Sequence, residues 1–325
     1  MNVTDFEREF GWYVGAQFAV ACCNGTATLH TALAALDVGP GSEVAVPPLT
    51  MSATTIAVLH AGARPVFVDV DPETWLMRPS ELLSMPVSLY GVWSTGGAID
   101  DAAQTLRQHD DRRKFTSYSF QASKILALGE GGMLVTNDEE LAVRAREFAS
   151  LGYRMRANQA RIAKDVLKSP SFERHHRLGW NYRMADAVAD RAGYRAIWQA
   201  LRRGRSDCAS LYRDAIDGCS WIKAQRIPDG GAHDYWAYAV ALDAAELWHP
   251  FAEAVERYGG TRPFAAWRLT YQEPAFRHLA EDGTCPVAES LQPRIVAGQT
   301  NDYESANRNA EAWYRARMEL NGGRH

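Results

Sequence analysis

Short apolar runs alternate with amphipathic segments along the first 150 residues of the chain. The run Phe18–Ala21 is followed by apolar positions such as Leu29 and Leu33, whose spacing is typical of a helix. The runs Phe115–Phe120 and Met133–Thr136 are bounded by polar and glycine-rich stretches and predict buried strands. Because strands that alternate with helices usually pair in parallel, the pattern predicts an α/β fold with a mainly parallel sheet.

The rest of the chain is richer in helical patterns. The apolar pattern over residues 185–216 predicts one or two helices, and a strand is predicted over Tyr235–Leu242. Further helices are predicted at Leu247–Tyr258, Pro274–Ala280 and Asp302–Leu320. We place a domain boundary at residue 205. The expected organisation is therefore a large domain over residues 1–205 and a smaller α+β domain over residues 206–325.

Lys124 follows one predicted buried strand and precedes another, with the glycine-rich turn 129–132 between it and the second strand. An amine held at this position would be partly removed from water, which lowers its pKa and makes the neutral, nucleophilic form available. Such a lysine is suited to forming a Schiff base with an aldehyde or ketone. The alternative is a lysine at a strand end whose ammonium group extends into the solvent.

A pair of acidic residues, Asp100 and Asp101, follows the apolar residues Ala98 and Ile99. This places them at the predicted carboxyl end of a strand, where open α/β sheets bind their ligands. A carboxylate there can keep the ring nitrogen of pyridoxal phosphate protonated. Side chains alternate along a strand, so at most one of the two can do this. The alternative is an acidic turn that caps the helix after it.

The segment Asn24-Gly25-Thr26 lies between a predicted strand and a predicted helix. Glycine permits close approach of the backbone, and free N–H groups at the start of a helix favour an anion such as phosphate. The same three residues are also common in an ordinary turn. An amine, a carboxylate and a phosphate-binding segment are together the groups that a pyridoxal phosphate site requires.

The chain resembles the DegT/DnrJ/EryC1/StrS group of sugar aminotransferases, which have the aspartate aminotransferase-like fold type I of pyridoxal-phosphate-dependent transferases. This resemblance implies a mainly parallel central sheet with flanking helices and a smaller α+β C-terminal domain. The segments that carry it occur in the family's order: Phe6–Phe10, Asn24–Leu29, Gly39–Val44, Leu49–Thr54, Pro65–Pro72, Asp100–Gln104, Ser119–Gly132, Gly179–Met184 and Cys285–Leu291.

The resemblance implies roles for several of these residues. Lys124 would form the internal aldimine with pyridoxal 5'-phosphate, and Asp101 would pair with the nitrogen of the ring. Gln104 would contact the ring hydroxyl, and Met51 would occupy the position at which many relatives stack an aromatic ring. Lys124 and Asp101 are therefore the expected catalytic residues.

The phosphate of the cofactor would be held by Gly25, Thr26 and Ser119. Asn181 would reach the phosphate bound by the neighbouring subunit, so the resemblance implies a homodimer with composite sites. It also implies an aminotransferase that moves an amino group, expected to come from glutamate, to a nucleotide-linked keto sugar by ping-pong kinetics. Two alternatives are a sugar dehydratase, whose relatives carry histidine at the position of Lys124, and a non-catalytic scaffold or regulatory protein on the same fold.

The chain departs from the family's pattern in its crossovers. Only residues 92–100 separate Gly91 from Asp101, where relatives place a helix and a further strand, and the segment from Gln104 to Ser119 is also shortened. These losses affect expectations about substrate recognition more than those about the cofactor.

In the C-terminal part, the aromatic segment Phe264–Tyr271 is expected either to belong to the core or to contribute Trp267 and Arg268 to the site.

Composition narrows the remaining function classes. The net charge of −4 and the pI of about 6.2 argue against general nucleic-acid binding. The five cysteines show no metal-ligand spacing, and the adjacent His175 and His176 have no acidic or cysteine partner nearby, so we expect no metal site. No apolar run is long enough to span a membrane, and the first residues do not read as a signal peptide. The expected location is the cytoplasm.

Overall fold

The computed structural model describes residues 1–322 and contains two sheets with helices packed against them. The helices are α1 (Val3–Val14), α2 (Gly25–Ala35), α3 (Ala53–His60), α4 (Glu139–Ala149), α5 (Lys164–Leu167), α6 (Asp186–Ala189), α7 (Arg195–Ile216), α8 (Trp248–Arg257), α9 (Pro286–Leu291) and α10 (Tyr303–Gly322). The strands are β1 (Phe18–Cys22), β2 (Glu43–Val46), β3 (Arg64–Phe67), β4 (Ile99–Asp101), β5 (Phe115–Ser119), β6 (Gly132–Thr136), β7 (Ile222–Ala224), β8 (Ala237–Leu242), β9 (Phe264–Ala265) and β10 (Ile295–Gln299).

The N-terminal sheet is continuous across two hydrogen-bonded groups of strands. One group has the order β1-β6-β5-β4 and the other is the pair β2-β3. Residues 84–87 join them, because Ser84 pairs with Ala45 of β2 and Val87 pairs with Asp101 of β4, both in parallel. The pairings of β6 with β1 and with β5 are antiparallel, and the others are parallel. The prediction of a mainly parallel sheet is therefore confirmed.

Both faces of this sheet are covered. On one face, Phe6 and Phe10 of α1 pack with Phe120 and with Trp198 of α7 in an aromatic cluster whose ring centroids lie 5.3–6.0 Å apart. On the other face, α2, α3 and α4 bury small and aliphatic side chains against the strands. Strands β4, β5 and β6 are buried almost throughout, but only β6 carries a continuous apolar run, Met133–Val135, whereas β4 and β5 include polar side chains.

The C-terminal sheet has the order β7-β8-β10-β9 and is antiparallel throughout. Helices α7, α8 and α10 cover it, with Tyr212, Phe251 and Trp313 fully buried between them. Helix α7 passes through the predicted domain boundary at residue 205. Its first half contributes Trp198 to the N-terminal core and its second half contributes Tyr212 to the C-terminal core. The boundary itself stays a prediction.

Most of the predicted C-terminal elements are present, with one exception. Helix α8 and helix α10 agree with the predicted segments to within a few residues. The predicted helix Pro274–Ala280 is wrong, because only a single 3-10 turn forms at Pro274–Phe276. Pro274 begins this turn, the polar residues Glu273 and Arg277 flank it, and none of its side chains is buried, so no apolar face stabilises a longer helix.

Candidate active site

Lys124 lies on a loop that is closed by backbone hydrogen bonds between its two ends. Phe120 donates to the carbonyl of Gly131 at 2.8 Å, and Leu128 donates to the carbonyl of Phe120 at 2.8 Å. The amine Nζ lies 5.1 Å from the centroid of the Trp236 ring, at the start of β8. Burial lowers the pKa of Lys124 from its ordinary value, and the nearby carboxylate of Asp101 partly opposes this shift.

Asp101 ends β4 and is buried beside the lysine. Its carboxylate accepts a hydrogen bond from the hydroxyl of Thr54 at 2.7 Å and another from the backbone N–H of Ala103 at 3.2 Å. Burial raises the pKa of Asp101, while the hydrogen bond from Thr54 and the charge of Lys124 lower it. The carboxylate is thus held in one orientation with a positive charge near it.

Asp100 makes an entirely different set of contacts. Its carboxylate is fully buried, pairs with Arg107 at 2.9 Å, and accepts hydrogen bonds from the hydroxyls of Ser88 and Ser94. Arg107 also donates to the carbonyl of Ser94 at 2.9 Å. The two neighbouring acids therefore contact different groups, as strand alternation predicts. Asp100 anchors the shortened crossover before β4, which contains no α-helix.

The start of α2 forms a cradle beside the end of β5. Asn24 caps the helix by accepting a hydrogen bond from the N–H of Ala27 at 2.8 Å. Among the described residues, the N–H groups of Gly25 and Thr26 have no partner, so they are available to an anion. A β-carbon on Gly25 would lie 2.8 Å from Cβ of Ser119, which shows how closely the two segments approach. The structure places Gly25 against Ser119, with Thr26 next in α2, and their contact with a phosphate stays a prediction.

Gln104 and Met51 lie between Thr26 and Ser119 in the sequence. Gln104 is buried, and its side-chain oxygen accepts a hydrogen bond from the N–H of Tyr90. Its amide nitrogen has no partner among the described residues and remains free to donate. Met51 precedes α3, the helix that carries Thr54, and its side chain is 46% exposed. Contact of either residue with a cofactor ring stays a prediction.

Asn181 is exposed and its side chain has no hydrogen-bond partner among the described residues. Its backbone pairs with Ser150, and the carbonyl of Tyr182 accepts a hydrogen bond from the N–H of Cys23 at 2.6 Å. The segment therefore lies next to the end of β1 in its own chain. Its neighbours Leu178 and Trp180 are 91% and 50% exposed. The contact of Asn181 with a partner's phosphate stays a prediction.

Three residues of the site were missed by the sequence analysis. Thr54 holds Asp101, Trp236 lies over the amine of Lys124, and Tyr90 holds Gln104 through its backbone. The rings of Tyr90, Trp236 and Trp267 are nearly parallel, with interplanar angles of 12–20°. Trp267 stacks on Trp236 and also packs against a buried core cluster that includes Leu269 and Tyr271, whereas Arg268 is exposed. Contact of Trp267 with a substrate stays a prediction.

The groups present fit pyridoxal phosphate. The amine of Lys124 is suited to the aldehyde, the buried carboxylate of Asp101 to the ring nitrogen, and the free N–H groups of Gly25 and Thr26 to the phosphate dianion. The unpaired amide of Gln104 provides a further donor.

Among the described residues, no group of histidine, cysteine and acidic side chains could hold a metal ion. None of the helices in the described part of the chain is long and apolar enough to cross a membrane.

Comparisons with known proteins agree with this geometry. The sequence profile of the DegT/DnrJ/EryC1/StrS aminotransferase family matches residues 1–86 and 97–301. The chain is 38% identical over 281 residues to the GDP-perosamine synthase of Caulobacter vibrioides, covering 74% of this chain and 69% of the relative. It is 30% identical over 323 residues to the UDP-N-acetyl-3-dehydro-alpha-D-glucosamine 3-aminotransferase of Acidithiobacillus ferrooxidans, covering 90% of this chain and 81% of that one.

Among solved structures, an aminotransferase from Psychrobacter cryohalolentis superposes with a TM-score of 0.82 at 24% identity. The match covers 95% of this chain and 89% of the other. The gap in the family profile, residues 87–96, falls on the shortened crossover that Asp100 anchors. The predicted fold type I is therefore confirmed, and the departure from the family is local.

Proposed function

Since the chain belongs to the DegT/DnrJ/EryC1/StrS aminotransferase family, whose members depend on pyridoxal phosphate, we propose that it aminates a nucleotide-linked keto sugar. The amino donor in this proposal is an amino acid, with glutamate as the first candidate. Two relatives whose names specify nucleotide-linked sugars, one linked to GDP and one to UDP, support the substrate class. The observation that carries the proposal is the partly buried amine of Lys124 beside the carboxylate of Asp101.

Each residue has a role that follows from its surroundings. When bound, pyridoxal phosphate supplies an electron sink that makes the substrate's C–H bond acidic. In the described part of the chain, Lys124 is the lysine whose charge acts on Asp101. It moves the proton between the substrate carbon and its acceptor, because its lowered pKa makes the neutral base accessible. Asp101, oriented by Thr54, keeps a negative charge next to the ring nitrogen. Trp236 shields the amine from solvent on one side.

The proposal also includes a homodimer in which Asn181 completes the partner's phosphate site. The exposed side chains of Leu178 and Trp180 flank Asn181 and form an apolar surface that association would cover. The five cysteines are all unpaired, which suits a reducing compartment, and we propose the cytoplasm as the location.

The decisive experiment is the visible absorption spectrum of the purified protein with added pyridoxal phosphate. We expect a yellow protein, and borohydride reduction should attach the cofactor covalently to the peptide that contains Lys124. Addition of L-glutamate should then change the spectrum and yield 2-oxoglutarate, and a keto sugar added next should be converted to an amino sugar, which a dehydratase would not produce. A protein that takes up no cofactor at Lys124 would instead favour the scaffold function.

A further inference from the structure

A cavity lies beside the three nearly parallel aromatic rings of the candidate active site. Its volume is about 330 Å³, and its lining includes the rings of Tyr90, Trp236 and Trp267. Ser123, the residue before Lys124, also lines it, and the Trp236 ring that forms its wall lies 5.1 Å from the amine of Lys124. The cavity therefore adjoins the loop that carries the reactive amine, with the Trp236 ring in contact with both.

The charge in this cavity comes from Arg205 of α7. Arg205 is 7% exposed and is the only charged residue among the described residues that line the cavity. Its Nη1 donates to the carbonyl of Trp236 at 2.9 Å and to the hydroxyl of Thr300 at 3.1 Å. A guanidinium has five N–H groups, and those on Nε and Nη2 have no partner among the described residues. We name this cavity the Arg205 pocket.

Other buried arginines in the chain are differently placed. Arg107 pairs with Asp100 at 2.9 Å, and Arg146 pairs with Glu7 at 3.0 Å. Arg113 shares the carbonyl of Ser94 with Arg107 beside the Asp100 carboxylate. Arg205, in contrast, lines a cavity and has no carboxylate within ion-pair distance among the described residues.

An unpaired charge in a buried site is unfavourable unless something compensates it. Burial lowers the pKa of Arg205 to about 10, so the guanidinium still carries its charge at neutral pH. Among the described residues, no acidic side chain lines the pocket. A bound ligand would therefore have to supply the compensating negative charge. Guanidinium groups bind carboxylates through paired hydrogen bonds, and the aromatic rings offer apolar surface to a carbon chain.

We propose that the Arg205 pocket binds a carboxylate group of a substrate, with Nε and Nη2 of Arg205 as the donors and the aromatic rings packed on the adjoining carbon atoms. The inference rests on the proposed aminotransferase function, since it assigns part of a substrate to the same site. Two sources have this chemistry: the amino acid that donates the amino group, and a keto sugar that carries a carboxylate.

The first test measures binding without turnover. The cofactor-loaded protein is titrated calorimetrically with glutarate and, separately, with its neutral diamide, glutaramide. We expect the native protein to bind glutarate and to reject glutaramide. Arg205→Met should weaken glutarate binding at least tenfold, and Arg205→Lys should retain part of it because the charge remains. Arg203→Met, an exposed arginine on the same helix, is the matched control and should bind as the native protein does.

Two outcomes would overturn the proposal. One is equal affinity of the native protein for glutarate and glutaramide, which needs no variant and therefore holds even if Arg205→Met fails to fold. The other is unchanged glutarate binding in a folded Arg205→Met protein. In both cases the absorbance of the cofactor on Lys124 still reports whether the protein is the proposed aminotransferase, so the two proposals fail separately.

The second test identifies the source of the carboxylate by steady-state kinetics. An Arg205→Met protein with a raised KM for L-glutamate, and an unchanged KM for a neutral keto sugar, would assign the pocket to the amino donor. A raised KM only for a keto sugar with a carboxylate would assign it to the acceptor. An equal fall in kcat with every substrate, at unchanged KM, would show a purely structural arginine and contradict the proposal.

Discussion

At Lys124, burial and a neighbouring carboxylate act on the same amine in opposite directions. Burial lowers the pKa of the amine and is the larger effect, whereas Asp101 raises it. Asp101 is itself affected in the opposite sense, because burial raises its pKa and Lys124 lowers it. Each group therefore reduces the cost of burying the other. A cofactor that reacts with the amine and places a protonated ring nitrogen near the carboxylate would preserve this balance.

The adjacent acids Asp100 and Asp101 provide a matched comparison. Asp101→Asn removes the carboxylate from beside the ring nitrogen, and we expect it to slow the proton-transfer step by several orders of magnitude, at about 1.4 kcal/mol for each factor of ten. Asp100→Asn should leave that step nearly unchanged. It should instead lower the free energy of unfolding by about 3 kcal/mol, because Arg107 would lose its buried partner. Single-turnover kinetics and urea denaturation measure the two effects, and a reversed order would contradict the assignment.

The residues that the sequence reveals are those whose chemistry is unusual in their local context. Lys124 and Asp101 stand out because a charge at the end of an apolar run is uncommon. Thr54, Tyr90 and Trp236 give no such signal, since a threonine in a helix and aromatic residues near strands are ordinary. Their roles depend on contacts between segments far apart in the chain, such as the bond from Thr54 to Asp101. Local patterns carry no information about such contacts.

At the scale of single elements, the start of α2 is the part of the site that depends most on the backbone. Its donors are N–H groups of Gly25 and Thr26, so no side chain can replace them. The strand end at Ser119 lies so close that only glycine fits at position 25. Sequence patterns predicted this helix, because its apolar spacing is a local signal, whereas the cap at Asn24 was not predicted. They failed at Pro274–Ala280, where tertiary packing does not support a helix.

Gly25→Ala tests this close approach. The added Cβ would lie 2.8 Å from Cβ of Ser119, so one of the two segments must move and the N–H groups would lose their alignment. We expect at least a tenfold weaker retention of pyridoxal phosphate, measured by equilibrium dialysis. Gly204→Ala in α7 is the control, because nothing lies within 4 Å of its added Cβ. It should retain the cofactor and raise stability by about 1 kcal/mol, as expected for alanine in a helix. Equal retention by both variants would contradict the proposed cradle.

At the scale of the whole molecule, the C-terminal unit completes the site that the N-terminal sheet begins. Trp236, at the start of β8, lies over Lys124, and its indole N–H donates to the carbonyl of Ser123 at 2.6 Å. Asp234 accepts hydrogen bonds from the N–H of Leu106 at 2.8 Å and from Arg202 at 2.7 Å. These contacts hold the residues just before β8 against the segment that follows Asp101 and against the loop of Lys124. Residues 234–236 therefore link the C-terminal sheet to the candidate site.

In the assembled protein, Asn181 contributes either to the phosphate site of the partner subunit or to that of its own chain. In the proposed dimer, Asn181 of one subunit reaches the phosphate of the other, which agrees with its exposure and with the exposed Leu178 and Trp180 beside it. In the competing arrangement Asn181 acts within its own chain. The hydrogen bond from the N–H of Cys23 to the carbonyl of Tyr182 supports the competing arrangement, because it brings the segment of Asn181 close to the chain's own start of α2.

Mixing two inactive variants separates these arrangements. Random reassociation of Asn181→Ala with Lys124→Ala subunits gives heterodimers as half of all dimers, and in a composite site one of their two centres combines the native lysine with the native asparagine. About a quarter of the native activity should therefore return. If Asn181 acted within its own chain, every centre would keep one defect and no activity would return beyond that of the separate variants. Light scattering provides the independent check, since a fully active monomer would rule out composite sites altogether.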